Sequence, residues 1–248
     1  MSDAITLYDI PGSATPDVAW SSNVWRTRYV LHIKGLAYKT IWVEYPDIAP
    51  TLKGLDADPT GTRDGAPLYT LPVIHDPTTG ALVSDSLQIA LYLDAQYPDT
   101  PQLLKAPTRA LQIAFLHTFV LPRLREPPVP LVINSSANQL SPSSEEWFRR
   151  SRVAMFGRPL EEIAREPGER EVLLKRLIDA MLDLGSWKGD SPFLGGEEVN
   201  YADVMVAGML QWLRRVGDKA EWEKVRDAIA SQWAVFMETF AKWDVIDA

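Results

Sequence analysis

Two adjacent hydroxyls and an amide, Ser21, Ser22 and Asn23, stand at the start of a segment whose apolar residues recur mostly at helical spacing: Val24, Trp25, Tyr29, Leu31 and Ile33. A hydroxyl just ahead of a helix can donate to an anion, and the helix end adds positive potential there. A thiolate is an anion such a site could hold. Lowering a thiol's pKa by ~2 units takes about 2.7 kcal/mol of differential stabilisation. One hydrogen bond from a hydroxyl to a charged group supplies about 1.5–3 kcal/mol, and the hydroxyl need not lose its own proton. The thiol would come from outside, because the 248 residues include no cysteine. Disulfides, zinc-thiolate sites and a cysteine nucleophile are thereby excluded. The plainer alternative for Ser21 or Ser22 is a helix cap.

Other residue sets narrow the chemistry. The three histidines, His32, His75 and His117, are far apart in sequence, and none forms the i, i+4 pair of a helical HExxH metal site; no metal is expected. The net charge of −8, from 25 basic and 33 acidic residues, repels phosphate backbones and argues against nucleic acid as a partner. No apolar run approaches the ~20 residues of a membrane helix. Met1-Ser2-Asp3-Ala4-Ile5-Thr6 lacks the basic and apolar regions of a signal peptide. A cytoplasmic protein is expected. With 46% hydrophobic and 23% charged residues the chain has material for a sizeable core.

The elements that must position Ser21 follow from periodicity and punctuation. A short strand is predicted over 5–10, with polar and apolar residues in rough alternation, ended by Pro11, Gly12 and Ser13. A loop leads to about Ser22, a helix runs over 24–34 to Gly35, and a second strand covers 38–45. Residues 46–69 carry four prolines and three glycines and are expected to form a long irregular connection, with a short helix near 48–55. Leu71-Pro72-Val73-Ile74 and Ala81-Leu82-Val83, joined by the turn 76–80, form a hairpin. Ser84-Asp85-Ser86 then opens an apolar helix closed before Pro98. The order β-α-β-loop-β-β-α implies a mixed sheet. Three prolines between 98 and 107 mark a domain boundary. Beyond it only helices are predicted, over 108–125, 143–156, 169–184, 200–216 and 221–242. Ser143 with Glu146 and Asn200 with Asp203 have capping-box spacing. The fold class is therefore α/β plus all-α, divided at 1–98 and 108–248.

Three separated segments, in order, resemble the glutathione transferase superfamily: Ser21-Ser22-Asn23-Val24-Trp25-Arg26-Thr27-Arg28; Leu71-Pro72-Val73-Ile74 with Ser84-Asp85-Ser86; and Phe193-Leu194-Gly195-Gly196 with Asn200-Tyr201-Ala202-Asp203. The resemblance spans nearly the whole chain. It implies a thioredoxin-like first domain that binds glutathione as cosubstrate and a helical second domain that contributes a hydrophobic substrate site. In serine- and cysteine-type members the active residue lies five positions before an arginine like Arg26. That register selects Ser21, with Ser22 and Asn23 as further donors. Pro72 resembles the family's cis-proline, and the backbone of Leu71 or Val73 would face the ligand, with Val73 offering both N–H and C=O. Asp85 and Ser86 resemble the pair that receives the γ-glutamyl ammonium and carboxylate, an ordinary N-cap being the alternative. Asn200 and Asp203 would serve folding. Trp20, Phe115 and Phe119 are candidates for the aromatic-ligand site, with core packing as the alternative.

Within the superfamily, Ser-x-Asn-x-Trp-Arg, Lys34-Gly35-Leu36-Ala37-Tyr38-Lys39 and Val43-Glu44-Tyr45-Pro46 resemble the serine-type, fungal etherase-related class and the bacterial β-etherases. The implied activity is attack of a glutathione thiolate on aromatic electrophiles or aryl ethers, or, alternatively, ligandin-type carriage of aromatic small molecules. The resemblance also implies a homodimer. Residues 46–69 are expected to form an ordered lid that narrows glutathione entry and shapes an aromatic ligand site, with a disordered surface insertion as the alternative.

Overall fold

A computed structural model describes residues 4–12, 19–63 and 65–247 of the chain. Strand β1 (Ile5–Asp9) is followed by α1 (Ser22–Lys34), β2 (Tyr38–Trp42), a short α2 (Ile48–Gly54), β3 (Gly61–Arg63), β4 (Ala66–Leu68), β5 (Val73–Asp76), β6 (Ala81–Ser84) and α3 (Ser86–Gln96). The turn expected at Ser13 and most of the loop after it lie outside the described residues. The main sheet has the order β2-β1-β5-β6. β1 and β2 are parallel, Ile5 opposite Tyr38, while β5 is antiparallel to both β1 and β6. The mixed thioredoxin-like sheet is as expected. The alternation expected in β1 is not: every residue of it is buried, as in a strand whose sheet is covered by other elements on both faces.

The helical half comprises α4 (Ala106–Phe115), which runs on as a π-helical stretch over Leu116–Arg125, then α5 (Pro128–Asn138), α6 (Pro142–Phe156), α7 (Pro167–Lys188), α8 (Tyr201–Val216) and α9 (Lys219–Ala241). Pro122, inside the π-helical stretch, has no N–H to give the ladder. Two elements escape the sequence reading. α5 is hidden by Pro127, Pro128 and Pro130. Prolines in a first helical turn remove only donors that lack intrahelical partners anyway. The hairpin β3–β4 sits within the expected irregular connection, too short and exposed to show alternation. The capping box expected at Ser143 and Glu146 is also absent. α6 starts at Pro142 with Ser141 as N-cap, and Ser141 makes no side-chain cap bond. Its hydroxyl donates to Glu44 instead, at 2.6 Å, and Ser144 donates to the same carboxylate.

The halves are fastened to each other. Asp94 of α3 accepts from Lys34 at 2.8 Å and from the backbone N–H of Leu104 at 2.7 Å, which ties down the proline-rich linker. α1 packs along α8, and Gly208 of α8 brings the helices together. A Cβ there would stand 2.8 Å from the Ser22 carbonyl oxygen and 2.9 Å from Arg26 Cγ. Buried Arg28 of α1 pairs with buried Asp9 of β1 at 2.9 Å, so the helix is also held to the sheet. α1, which carries the candidate hydroxyls, is thus held from both sides.

Candidate functional site

Ser21 is the N-cap residue of α1. Its carbonyl accepts the first helical bond from Trp25 at 2.9 Å, while its hydroxyl makes no cap hydrogen bond. No acidic residue lies in the first turn. The helix end therefore keeps its positive potential and a half-buried hydroxyl without a partner among the described residues. Ser22 is buried as the first helical residue and Asn23 is half-buried beside it. All three line a cleft of about 320 Å³ between the two halves.

Leu71 also lines this cleft, and the Leu71–Pro72 peptide bond is cis. Val73 does not line it. It opens β5 and is paired with Tyr8 on one side and Ser84 on the other. The strand pairing of Val73 engages its backbone groups with those neighbours. Asp85 and Ser86 lie just beyond the lining. Asp85 caps α3, accepting from the N–H groups of Leu87 and Gln88 at 2.9 and 3.2 Å. Its own N–H reaches the Pro72 carbonyl at 3.2 Å. Its φ of 77° is one that non-glycine residues seldom adopt, and such strain is often found at ligand sites. Ser86 is buried near Tyr201 of α8, whose phenol burial pushes up to about 12. Behind them Arg26 is buried, and its Nε and one terminal nitrogen have no partner among the described residues. Burial lowers its pKa, while the neighbouring Tyr201 and Asp85 support its charge.

The rest of the cleft is aromatic. Trp20 is buried in its wall, edge-on to Phe148 of α6 at 6.4 Å. Tyr45, just after β2, stacks on Trp147 at 5.0 Å with 13° between the planes. The Tyr45 N–H donates to Ser144 at 2.8 Å, so the same serine that meets Glu44 sets this stack. Burial pushes the Tyr45 phenol up to about 12, against the pull of Arg152. Residues from the 46–69 connection, among them Pro46, Arg63, Leu68 and Tyr69, form one rim. Phe115 and Phe119 are elsewhere. They stack on each other at 5.3 Å, and Phe119 meets Trp187 at 5.1 Å. Their helix reaches the cleft only at its far end, through Arg125.

The sequence reading missed Tyr45, Trp147, Phe148, Arg63, Arg125 and Arg152. The spacing of Phe148, Arg152 and Phe156 marks one face of α6, but a face does not say what it fronts. Asn200 and Asp203 behave as expected. They form a reciprocal capping box, and the Asp203 carboxylate also accepts from Leu194 and Gly195. Among the described residues no cluster of three or more His, Asp or Glu could hold a metal ion, and no helix is long and apolar enough to cross a membrane.

Residues 20–96 match the model of the glutathione S-transferase N-terminal domain, and 110–243 that of the glutathione S-transferase C-terminal domain. The chain is similar to the glutathione S-transferase-like protein ustS of Aspergillus flavus, 32% identical over 94% of this chain and 87% of that protein. Among solved structures, a glutathione S-transferase of Ceriporiopsis subvermispora in complex with glutathione superposes with a TM-score of 0.92 at 43% identity, covering 98% of both chains. Glutathione transferase GSTFuA3 of Phanerochaete chrysosporium superposes with a TM-score of 0.92 at 38% identity over the full length of both. These fungal relatives agree with the class that the sequence resembles.

Proposed function

The chain belongs to the glutathione S-transferase family, whose cosubstrate is glutathione, and we propose that Ser21 holds the glutathione thiolate here for attack on an aromatic ligand in the cleft. The observation that carries this is the Ser21 hydroxyl: at the N-cap of α1, unused as a cap, and facing the same cleft as Leu71 beside the cis-proline. The γ-glutamyl ammonium meets Asp85, its carboxylate meets Ser86 with the charge of Arg26 nearby, and the cysteinyl backbone runs along Leu71. This places the sulfur at the start of α1.

The hydroxyl donates to the sulfur and, with the helix end, supplies the roughly 2.7 kcal/mol that a ~2-unit fall in thiol pKa requires. Ser22 and Asn23 are the neighbouring donors. Held thus, the thiolate attacks an electrophilic carbon of the aromatic ligand. The S–C bond forms as the leaving group, an aryloxide in the case of an ether, departs with the bonding electrons. The aromatic wall of Trp20, Tyr45, Trp147 and Phe148 aligns the ring, and proximity supplies much of the rate. The rim formed by residues 46–69 acts as the lid that narrows glutathione entry.

The test is the thiolate absorbance of bound glutathione against pH in the unaltered protein and in the Ser21→Ala and Ser22→Ala variants, with turnover measured on aromatic electrophiles and aryl ethers. Ser21→Ala is expected to raise the bound thiol's pKa by about 1–2 units and lower turnover, with modest loss of affinity. A normal Ser21→Ala beside a crippled Ser22→Ala would shift the assignment by one residue. Tight aromatic binding with no turnover on any electrophile would make the protein a carrier.

A further inference from the structure

Among the described residues, the charged ones that line the cleft are all of one sign: Arg63 of β3, Arg125 at the end of the π-helical stretch, and Arg152 of α6, with no described aspartate or glutamate beside them in the lining. This is a notable local excess in a chain of net charge −8. Several arginines elsewhere in the molecule have acidic partners, among them Arg28 with Asp9, Arg149 with Glu161 and Arg214 with Asp244. Arg63, Arg125 and Arg152 have none among the described residues. The Arg152 guanidinium lies 4.4 Å over the Phe148 ring and donates only to the neighbouring Ser151 hydroxyl, at 3.1 Å. Its pKa falls through burial, against the opposing pull of Tyr45, and Arg63 and Arg125 lower it further.

Glutathione does not account for three cations. On the function proposed above, its γ-glutamyl end lies at Asp85 and Ser86, outside the lining, which leaves a single glycyl carboxylate for the arginines. Three guanidiniums around an aromatic wall suit a second anion attached to a ring. We propose that the aromatic ligand of the cleft is an anionic one, an aryl carboxylate or aryl sulfonate, whose ring packs against Tyr45, Trp147 and Phe148 and whose oxoanion is held by Arg152 with Arg125 and Arg63. This inference rests on the functional reading only for where glutathione lies.

The arrangement predicts selectivity by charge rather than by ring shape. It is tested with matched pairs, 2-naphthoate against 2-naphthamide and 2-naphthalenesulfonate against 2-naphthalenesulfonamide. Binding is followed by quenching of the cleft tryptophans, with and without saturating glutathione. The unaltered protein should prefer each anion to its neutral partner by about 10-fold or more, less so in high salt. Arg152→Gln should remove most of that preference and leave naphthamide binding unchanged. Arg125→Gln and Arg63→Gln, both on exposed side chains, should each remove part of it and so keep the test valid if Arg152→Gln fails to fold. Comparing the carboxylate and sulfonate arms identifies the oxoanion. Equal binding of anion and amide by the unaltered protein would overturn the proposal. So would arginine variants that lose glutathione affinity but keep the preference, which would assign the arginines to the glycyl carboxylate alone. A protein that prefers the anions but does not bind glutathione would retain this inference and lose the functional reading.

Discussion

Gly208→Ala tests whether the spacing of α1 and α8 positions the thiolate. The added Cβ would lie 2.8 Å from the Ser22 carbonyl oxygen and 2.9 Å from Arg26 Cγ, roughly 0.6 and 0.5 Å inside the 3.4 Å at which ordinary contact begins. The first neighbour is backbone and cannot rotate away, and Arg26 is buried. The helices must therefore part, and overpacking of this kind costs about 1–3 kcal/mol. Against it stands the gain of alanine over glycine inside a helix, roughly 0.5–1 kcal/mol. A net loss of about 0.5–2 kcal/mol is expected, or a Tm lower by about 1–8 °C for a chain of this length. The N-terminus of α1 moves with its backbone, so the Ser21 hydroxyl leaves its place in the cleft and the bound thiol's pKa rises. Gly54→Ala is the control, since a Cβ there meets nothing within 4 Å. Chemical denaturation and thiolate titration of both variants decide the matter. A Gly208→Ala protein as stable as the original, with an unchanged bound-thiol pKa, would refute the claim that this contact sets the site.

Asp85→Asn keeps a good helix N-cap, so stability should change little while glutathione affinity falls by about 1.5–3 kcal/mol, as it should in Ser86→Ala; calorimetry giving unaltered affinity in both would leave these residues as structural only. Asp203→Ala orphans the N–H groups of Leu194, Gly195 and Asn200 and should cost at least about 2 kcal/mol in denaturant unfolding, with ligand affinity unchanged in the folded fraction. Burial pushes the Asp203 carboxyl up to about 6 despite those three donors, above its value of about 3.9 when unfolded. The folded state then binds the extra proton, so this group's contribution to stability is full below about pH 4 and is lost as pH rises through 6, with a slope of at most about 1.4 kcal/mol per pH unit. Asp203→Asn should flatten that part of the stability profile, and an identical profile in the variant would show that Asp203 does not titrate there.

Local chemistry was enough to reveal much of this molecule. Asn200 and Asp203 announced their capping box because its bonds join residues three apart. The α1 start and the hairpin of β5 and β6 were legible for the same reason: turn residues and periodicity act over a few positions. The absence of cysteine settled that any reacting thiol comes from outside. Other features depended on partners far away in the chain. β1 is buried throughout because other elements cover both faces of its sheet, which its own alternation could not reveal. Ser141 gives its hydroxyl to Glu44 instead of capping α6, and no spacing within 141–146 records a carboxylate 97 residues earlier. Phe115 and Phe119 looked like ligand residues on a helix that borders the site, but the packing of α7 turned them toward Trp187. The cleft itself exists only where α1, the 46–69 connection, α5, α6 and α8 converge. Arg63, Arg125 and Arg152 are ordinary surface-type residues in sequence. They become a single cationic rim only because the tertiary fold sets three separate elements around one aromatic wall, with no acid among the described residues that line it.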